Sequence, residues 1–144
     1  MEWIRESSDI FIRIDPGELM IQSLARAARE MHVTTGVLLS GVGMFEQVTL
    51  GYFNATDDEY IQTKYEGIYD VSSIAGNISQ RRELIVPHIH AIFNDASHST
   101  LSGHVIEATC HVTMEIFMST SRLDIERVKL PGIPATRIMP RRVK

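Results

Sequence analysis

Only one stretch of this chain repeats its apolar residues at helical spacing, and nearly everything after it alternates with a period of two. Ile21, Leu24, Ala25, Ala28 and Met31 share a helical face, with Gln22, Arg26, Arg29 and Glu30 off it. Asp15-Pro16-Gly17-Glu18 ahead of them supplies a capping residue, a proline at the first helical position and a glutamate at the third. The spacing predicts one helix of about four turns, ended by Val33-Thr34-Thr35-Gly36. Elsewhere, Ile10, Ile12 and Ile14 alternate with Phe11 and Arg13 as a strand. Val37-Leu38-Leu39 reads as a short buried strand ending in a tight reversal at Gly41-Val42-Gly43, which is too short for a phosphate loop and lacks a following Lys-Ser/Thr. Val48, Leu50 and Tyr52 alternate again, residues 54–58 are turn-like, and residues 60–65, 68–78, 84–93 and 101–118 read as strands, with a bend or bulge at Gly76-Asn77. From Ser119 onward Pro131, Gly132, Pro134 and Pro140 predict a mostly irregular closing segment. The order gives an α+β domain: a curved antiparallel sheet with one principal amphipathic helix, residues 1–118, and residues 119–144 as an appendage of the same single domain.

The bulk numbers fit one compact core, with 144 residues, 44% of them apolar and 22% charged. Acidic residues outnumber basic ones by 18 to 14, for a net charge of -4. A protein that displaces counterions from DNA presents a basic surface, so this balance argues against a nucleic-acid binder. The basic tail Arg137, Arg141, Arg142 and Lys144 is read as a solvated terminus. Cys110 is the only cysteine, which excludes an intrachain disulfide and suits a reducing compartment. The first residues lack the apolar core of a signal peptide, and no run approaches the ~18 apolar residues of a membrane-spanning helix. A cytoplasmic location is expected.

Chemistry is concentrated in His88, His90 and His104. Pro87-His88-Ile89-His90-Ala91 and Gly103-His104-Val105 flank a stretch of turn composition, residues 94–99, and so form the arms of a β-hairpin. Alternation puts His88 and His90 on one face and Ile89 and Ala91 on the other. A turn centred at Ser97 sets His90 opposite His104; one centred at Ala96 sets His88 opposite it. In either case directly opposite residues point the same way and the three imidazoles converge, whereas a slip by one residue separates them. Three neutral imidazoles suit zinc or another divalent transition metal, and three ligands leave a position open for water or substrate.

The other candidates are assigned ordinary roles. His32 sits at the helix end, where it suits the dipole, and His98 lies in the turn. Strict alternation along residues 101–118 groups His104, Ile106, Ala108, Cys110, Val112, Met114 and Ile116 as an apolar face and turns Glu107 and His111 away from the metal, unless a bulge intervenes. Without a general base beside the ion, a metal-dependent enzyme ranks below a binding module. Glu66, Asp70 and Glu83 are the carboxylates that could alter this if another strand or subunit brought one to the site. Cys110 is expected to be a buried structural thiol.

These residues resemble a known family. Pro16-Gly17-Glu18, Gly41-Val42-Gly43-Met44, Val48-Thr49-Leu50-Gly51-Tyr52-Phe53, Ala75-Gly76-Asn77-Ile78, Pro87-His88-Ile89-His90-Ala91 and Gly103-His104 with Glu107 occur in the order and spacing of the plants and prokaryotes conserved (PPC) domain, over most of residues 8–118. The resemblance implies a homotrimer of α+β subunits and a histidine cluster able to hold a metal, commonly zinc, which falls position by position on His88, His90 and His104. In plants the domain accompanies AT-hooks of nuclear DNA-binding proteins. This sequence has no Arg-Gly-Arg-Pro hook, and Ser102-Gly103-His104 stands where Gly-Gly-His is usual. The expected functions, in order, are a trimeric metal-binding regulatory or interaction module, a metal-dependent enzyme on a small molecule, and a DNA-binding regulator.

Overall fold

The structure, a computed structural model, describes residues 1–141. Eight strands and one helix follow in the order β1 (Glu2–Glu6), β2 (Asp9–Ile14), α1 (Met20–Glu30), β3 (Gly36–Asn54), β4 (Glu59–Arg81), β5 (Leu84–Asn94), β6 (Thr100–Thr120), β7 (Ile125–Lys129) and β8 (Thr136–Pro140). The first six strands make one antiparallel sheet in the order β1-β2-β6-β3-β4-β5, and β5 also pairs with β6. That extra pairing curls β3, β4, β5 and β6 into a closed ring, which removes one pair of sheet edges. Helix α1 packs against β6, β5 and β2. Its Met20, Leu24, Ala27 and Ala28 are buried with Ile10, Ile12 and Ile14 of β2 and Met114, Ile116 and Met118 of β6. Phe45 and Phe93 meet edge to face inside the ring, centroids 6.0 Å apart. The α+β class with one helix on a curved antiparallel sheet is the architecture expected.

The helix begins later than its apparent cap suggests. Its N-cap is Leu19, extended and with no side-chain cap, and the helix has 11 residues. Asp15-Pro16-Gly17-Glu18 instead forms a turn, in which Glu18 N–H donates to Asp15 O at 3.1 Å and Asp15 N–H to the Glu18 carboxylate at 3.0 Å. Leu19 then bridges to Thr109 of β6, so strand pairing holds this stretch until Met20. A local capping pattern therefore lost to a long-range backbone contact.

Gly41-Val42-Gly43 is no reversal. It lies inside the 19-residue β3, where the register against β6 shifts at Leu38/Ser40 and Gly43/Phe45. A Cβ on Gly43 would stand 2.1 Å from Thr113 O, so the glycine serves close approach of two strands. The neighbouring Val37 and Leu39 are exposed rather than buried, and only Leu38 faces the core. Likewise residues 60–65 and 68–78 belong to one strand, β4, whose bulge against β5 falls between Val71 and Ser73 rather than at Gly76-Asn77. The closing segment, expected to be mostly irregular, contains the β7–β8 hairpin. Its breakers Pro131, Gly132 and Pro134 gather in the connection between the two strands, and Pro140 ends β8. Arg142 and Lys144 of the basic tail lie outside the described residues.

Strict alternation also fails along β6. Leu50 pairs with Val105 and Thr49 with Glu107, so Ile106 is an extra residue. The core face is Val105, Ala108, Cys110, Met114, Ile116 and Met118, while Val112 is exposed. His104 thus points away from the core rather than sharing a face with Ala108 and Cys110.

Cys110 is fully buried and donates its Sγ–H to Ile14 O at 3.3 Å. Burial, with Asp15, Glu18 and Glu46 adding to it, pushes the thiol up to about 11. We expect no labelling of the native protein by an aromatic disulfide reagent at pH 8, and prompt labelling in guanidinium. Rapid labelling of the folded protein would show that the β2–β6 seam opens.

Candidate metal centre

The β5–β6 hairpin takes the register centred on Ser97. His90 pairs with His104, Ala91 with Gly103 and Ile92 with Ser102. His88, two residues back along β5, lies opposite Asn77 of β4. Ile89, Ala91 and Val105 are buried on the inner face, and alternation turns the three histidines outward from the ring. Their ring centroids are 5.4 Å (His88–His90), 5.0 Å (His88–His104) and 5.3 Å (His90–His104) apart. One ligand-capable nitrogen from each lies within 4.8 Å of the others. Around a tetrahedral zinc with Zn–N of about 2.0–2.1 Å, such nitrogens stand roughly 3.4 Å apart.

Two observations test the fit of a metal to this cluster. His104 Nδ1 is buried and has no hydrogen-bond partner among the described residues. A polar atom left so is costly unless something outside the chain engages it. Secondly, two of the rings, His88 and His104, are held neutral, as ligation requires. Burial, then the neighbouring His88, His90 and Arg127, pushes His104 down to about 4. Burial, then Arg127 and His90, lowers His88. The residues fit a divalent transition ion.

The surroundings come from distant parts of the chain. Tyr60 of β4 stacks on His104, centroids 4.8 Å apart and planes 24° apart. Gly51 of β3 pairs with His104, and a Cβ there would stand 2.9 Å from the Tyr60 ring, so this glycine leaves room for the stack. Arg127 of β7 reaches in from the other side, with Nε donating to Ser79 Oγ at 3.2 Å and Nη2 3.3 Å from His88 Nδ1. Neither Tyr60 nor Arg127 carries a local sequence signal for this site; Arg127 sits in the segment read as irregular.

Glu107 was expected to face away from the metal. The bulge at Ile106 places it, by register, on the face of His104, yet its carboxylate is engaged elsewhere. Glu107 Oε1 accepts N–H bonds from Ile21 at 2.8 Å and from Ala108 at 3.0 Å. It supplies the cap that Leu19 cannot, from another strand, at the positive end of the helix dipole. Burial outweighs these bonds and raises its carboxyl above the ordinary range. The folded state thus holds this proton more tightly than the unfolded one. The resulting stability is present below the ordinary glutamate range and is lost as pH rises through the raised value. We expect Glu107→Ala to cost about 1–3 kcal/mol by orphaning buried N–H groups. Glu107→Gln should retain most of the stability at pH 7 and remove that slope, as read by urea melts at pH 4 to 8. Equal melts for all three proteins would dismiss the cap.

The remaining candidates stand apart from the cluster. His111 Nδ1 is 3.3 Å from Glu46, His98 lies in the β5–β6 turn, and His32 follows α1 in a left-handed conformation. Glu66 pairs with Lys64 at 3.0 Å, Asp70 lies opposite Met44 and Asn94, and Glu83 is in the β4–β5 connection. Among the described residues no carboxylate joins the three histidines.

Known proteins share this architecture. The structure of a plant- and prokaryote-conserved protein from Pyrococcus horikoshii superposes with a TM-score of 0.81 at 20% identity, covering 94% of this chain and 93% of that one. A protein from Archaeoglobus fulgidus described as metal-containing gives 0.83 at 19% identity, covering 92% and 94%. One from Bacteroides thetaiotaomicron, given the provisional name of a DNA-binding protein, gives 0.90 at 20% identity, covering 98% of both chains. Two curated relatives from Synechococcus strains, each named bifunctional protein GlmU, are 28% identical over 111 residues. The chain spans only 16% and 17% of their lengths. A profile of the Plants and Prokaryotes Conserved (PCC) domain matches residues 5–122, and the chain belongs to that family.

Proposed function

We propose that this protein is a homotrimeric metal-binding module of the PPC type with a regulatory or interaction role, holding zinc or another divalent transition metal on His88, His90 and His104. The observation that carries the reading is the convergence of three imidazoles, with a buried, unpartnered His104 Nδ1 among them. A bound ion would supply Lewis acidity at a position the protein leaves open. The small-molecule enzyme ranks second, because among the described residues no carboxylate joins the cluster and Glu107 is committed to the helix. A DNA-binding role ranks third, since the acidic excess stands and Arg141 of the tail is paired with Glu126 at 3.0 Å.

Support for association comes from an uncovered apolar stripe across adjacent strands: Ile4 of β1, Phe11 of β2, Phe117 of β6 and Leu39 of β3. Ile4, Leu39 and Phe117 are exposed, and Phe11 packs on Phe117 at 5.0 Å. Contiguous exposed apolar surface of this kind marks an interaction face. We expect a trimer by light scattering at micromolar concentration and one ion per chain by elemental analysis after supplementation. A monomer would dismiss the association, and a protein that takes up no ion would dismiss the metal.

A further inference from the structure

A cavity of about 620 Å³ opens beside the histidines, lined by residues of four strands and the β7–β8 hairpin. That is the size of a small-molecule site. His88 and His104 form part of its wall, Phe53 and Tyr60 another part, and Arg81, Arg127 and Lys129 bring three cations against one carboxylate, Asp58. This local excess runs against the balance of the whole chain, in which acidic residues predominate. Lys129 is paired with Asp58. Arg127 is different: it is half-buried and has no carboxylate partner among the described residues. Its neighbours are neutral oxygens of Ser79 and Asn77 and the ring of His88. A half-buried guanidinium held only by neutral groups retains fork geometry for an oxyanion.

The contact with His88 adds a coupling. A guanidinium only donates, so His88 Nδ1 accepts from it and the ring proton sits on Nε2. If His88 gives an ion its Nδ1, no lone pair remains for Arg127. If it gives Nε2, the proton moves to Nδ1 and a donor faces a donor. In both cases loading the cluster releases Nη2 of Arg127.

We propose that this cavity binds a small organic anion, with its carboxylate or phosphate on Arg127 and its apolar part against Phe53 and Tyr60, and that loading of the histidine cluster strengthens this binding. The coupling rests on the metal reading above; the anion site on Arg127 does not. Benzoate, phenyl phosphate and benzyl alcohol serve as probes by calorimetry, against metal-free and cobalt-loaded protein. We expect saturable binding of one of the two anions, tighter in the cobalt form, and none of the uncharged alcohol. The arm that binds tells carboxylate from phosphate. Arg127→Gln should weaken the anion about tenfold or more and Arg127→Lys less, with one cobalt per chain still taken up by both. Failure of both anions to bind, binding of benzyl alcohol as tight as benzoate, or unaltered affinity in Arg127→Gln would overturn the anion site. Anion binding through Arg127 in a protein that takes up no cobalt would support the site while removing the metal reading and its coupling. Equal anion affinity of the two forms would overturn the coupling alone.

Discussion

His104→Ala should leave a folded protein that has lost its metal. Two imidazoles on one strand cannot enclose an ion as three from paired strands do, and we expect affinity for zinc to fall by at least about 100-fold, more than the 10–100-fold typical of losing a supporting contact. The fold should survive because His104 packs outside the ring: its neighbours are Tyr60 and the two other histidines, and its Nδ1 makes no hydrogen bond to the protein. Removing an unpartnered buried nitrogen relieves a cost rather than imposing one. The metal-free variant should therefore melt within about 1 kcal/mol of metal-free wild type, while wild type alone gains stability on adding zinc. Thermal melts with and without zinc, together with elemental analysis, check both halves. A variant that still binds zinc as wild type does would remove His104 from the ligand set.

Phe93→Ala should have the largest effect on folding. Phe93 is fully buried on β5, pairs with Leu101 of β6 and Val71 of β4, and meets Phe45 of β3 edge to face. It thus ties together all four strands of the closed ring. Truncation of a buried phenylalanine costs about 3–5 kcal/mol, a large share of the ~5–15 kcal/mol that holds a domain together. Because His90 lies three residues away on the same strand, the loosened ring should also weaken metal binding, unlike His104→Ala, which separates the two properties. A double-mutant cycle with Phe45→Ala should return a coupling of about 0.5–1.5 kcal/mol in urea melts. Additive losses would show that the two rings do not act as a pair.

What the sequence revealed follows from the range of each interaction. The convergence of the three histidines was legible because it depends on strand parity and one short turn, both local, and the register centred on Ser97 was one of two that sequence left open. The class of fold was legible because one helical stretch among alternating ones admits few arrangements. The errors have a common origin in contacts between distant strands. The bulge at Ile106 is imposed by β3 and reassigns the faces of β6, so neither the outward setting of His104 nor the place of Glu107 could be read from alternation. The start of α1 is set by the Leu19–Thr109 bridge, and its cap comes from Glu107, 86 residues further along the chain than Ile21. Arg127 reaches the site from a hairpin whose prolines concealed it. In each case periodicity was sound within a segment and silent about the neighbour that corrected it.

The central claim is that one divalent ion is held by His88, His90 and His104 together. X-ray absorption at the zinc edge of the loaded protein addresses it most directly. The account predicts a first shell with three imidazole nitrogens at about 2.0–2.1 Å, the remainder oxygen and no sulfur, since the lone thiol is buried at Cys110. A shell without imidazole scattering, or one containing sulfur, would contradict it.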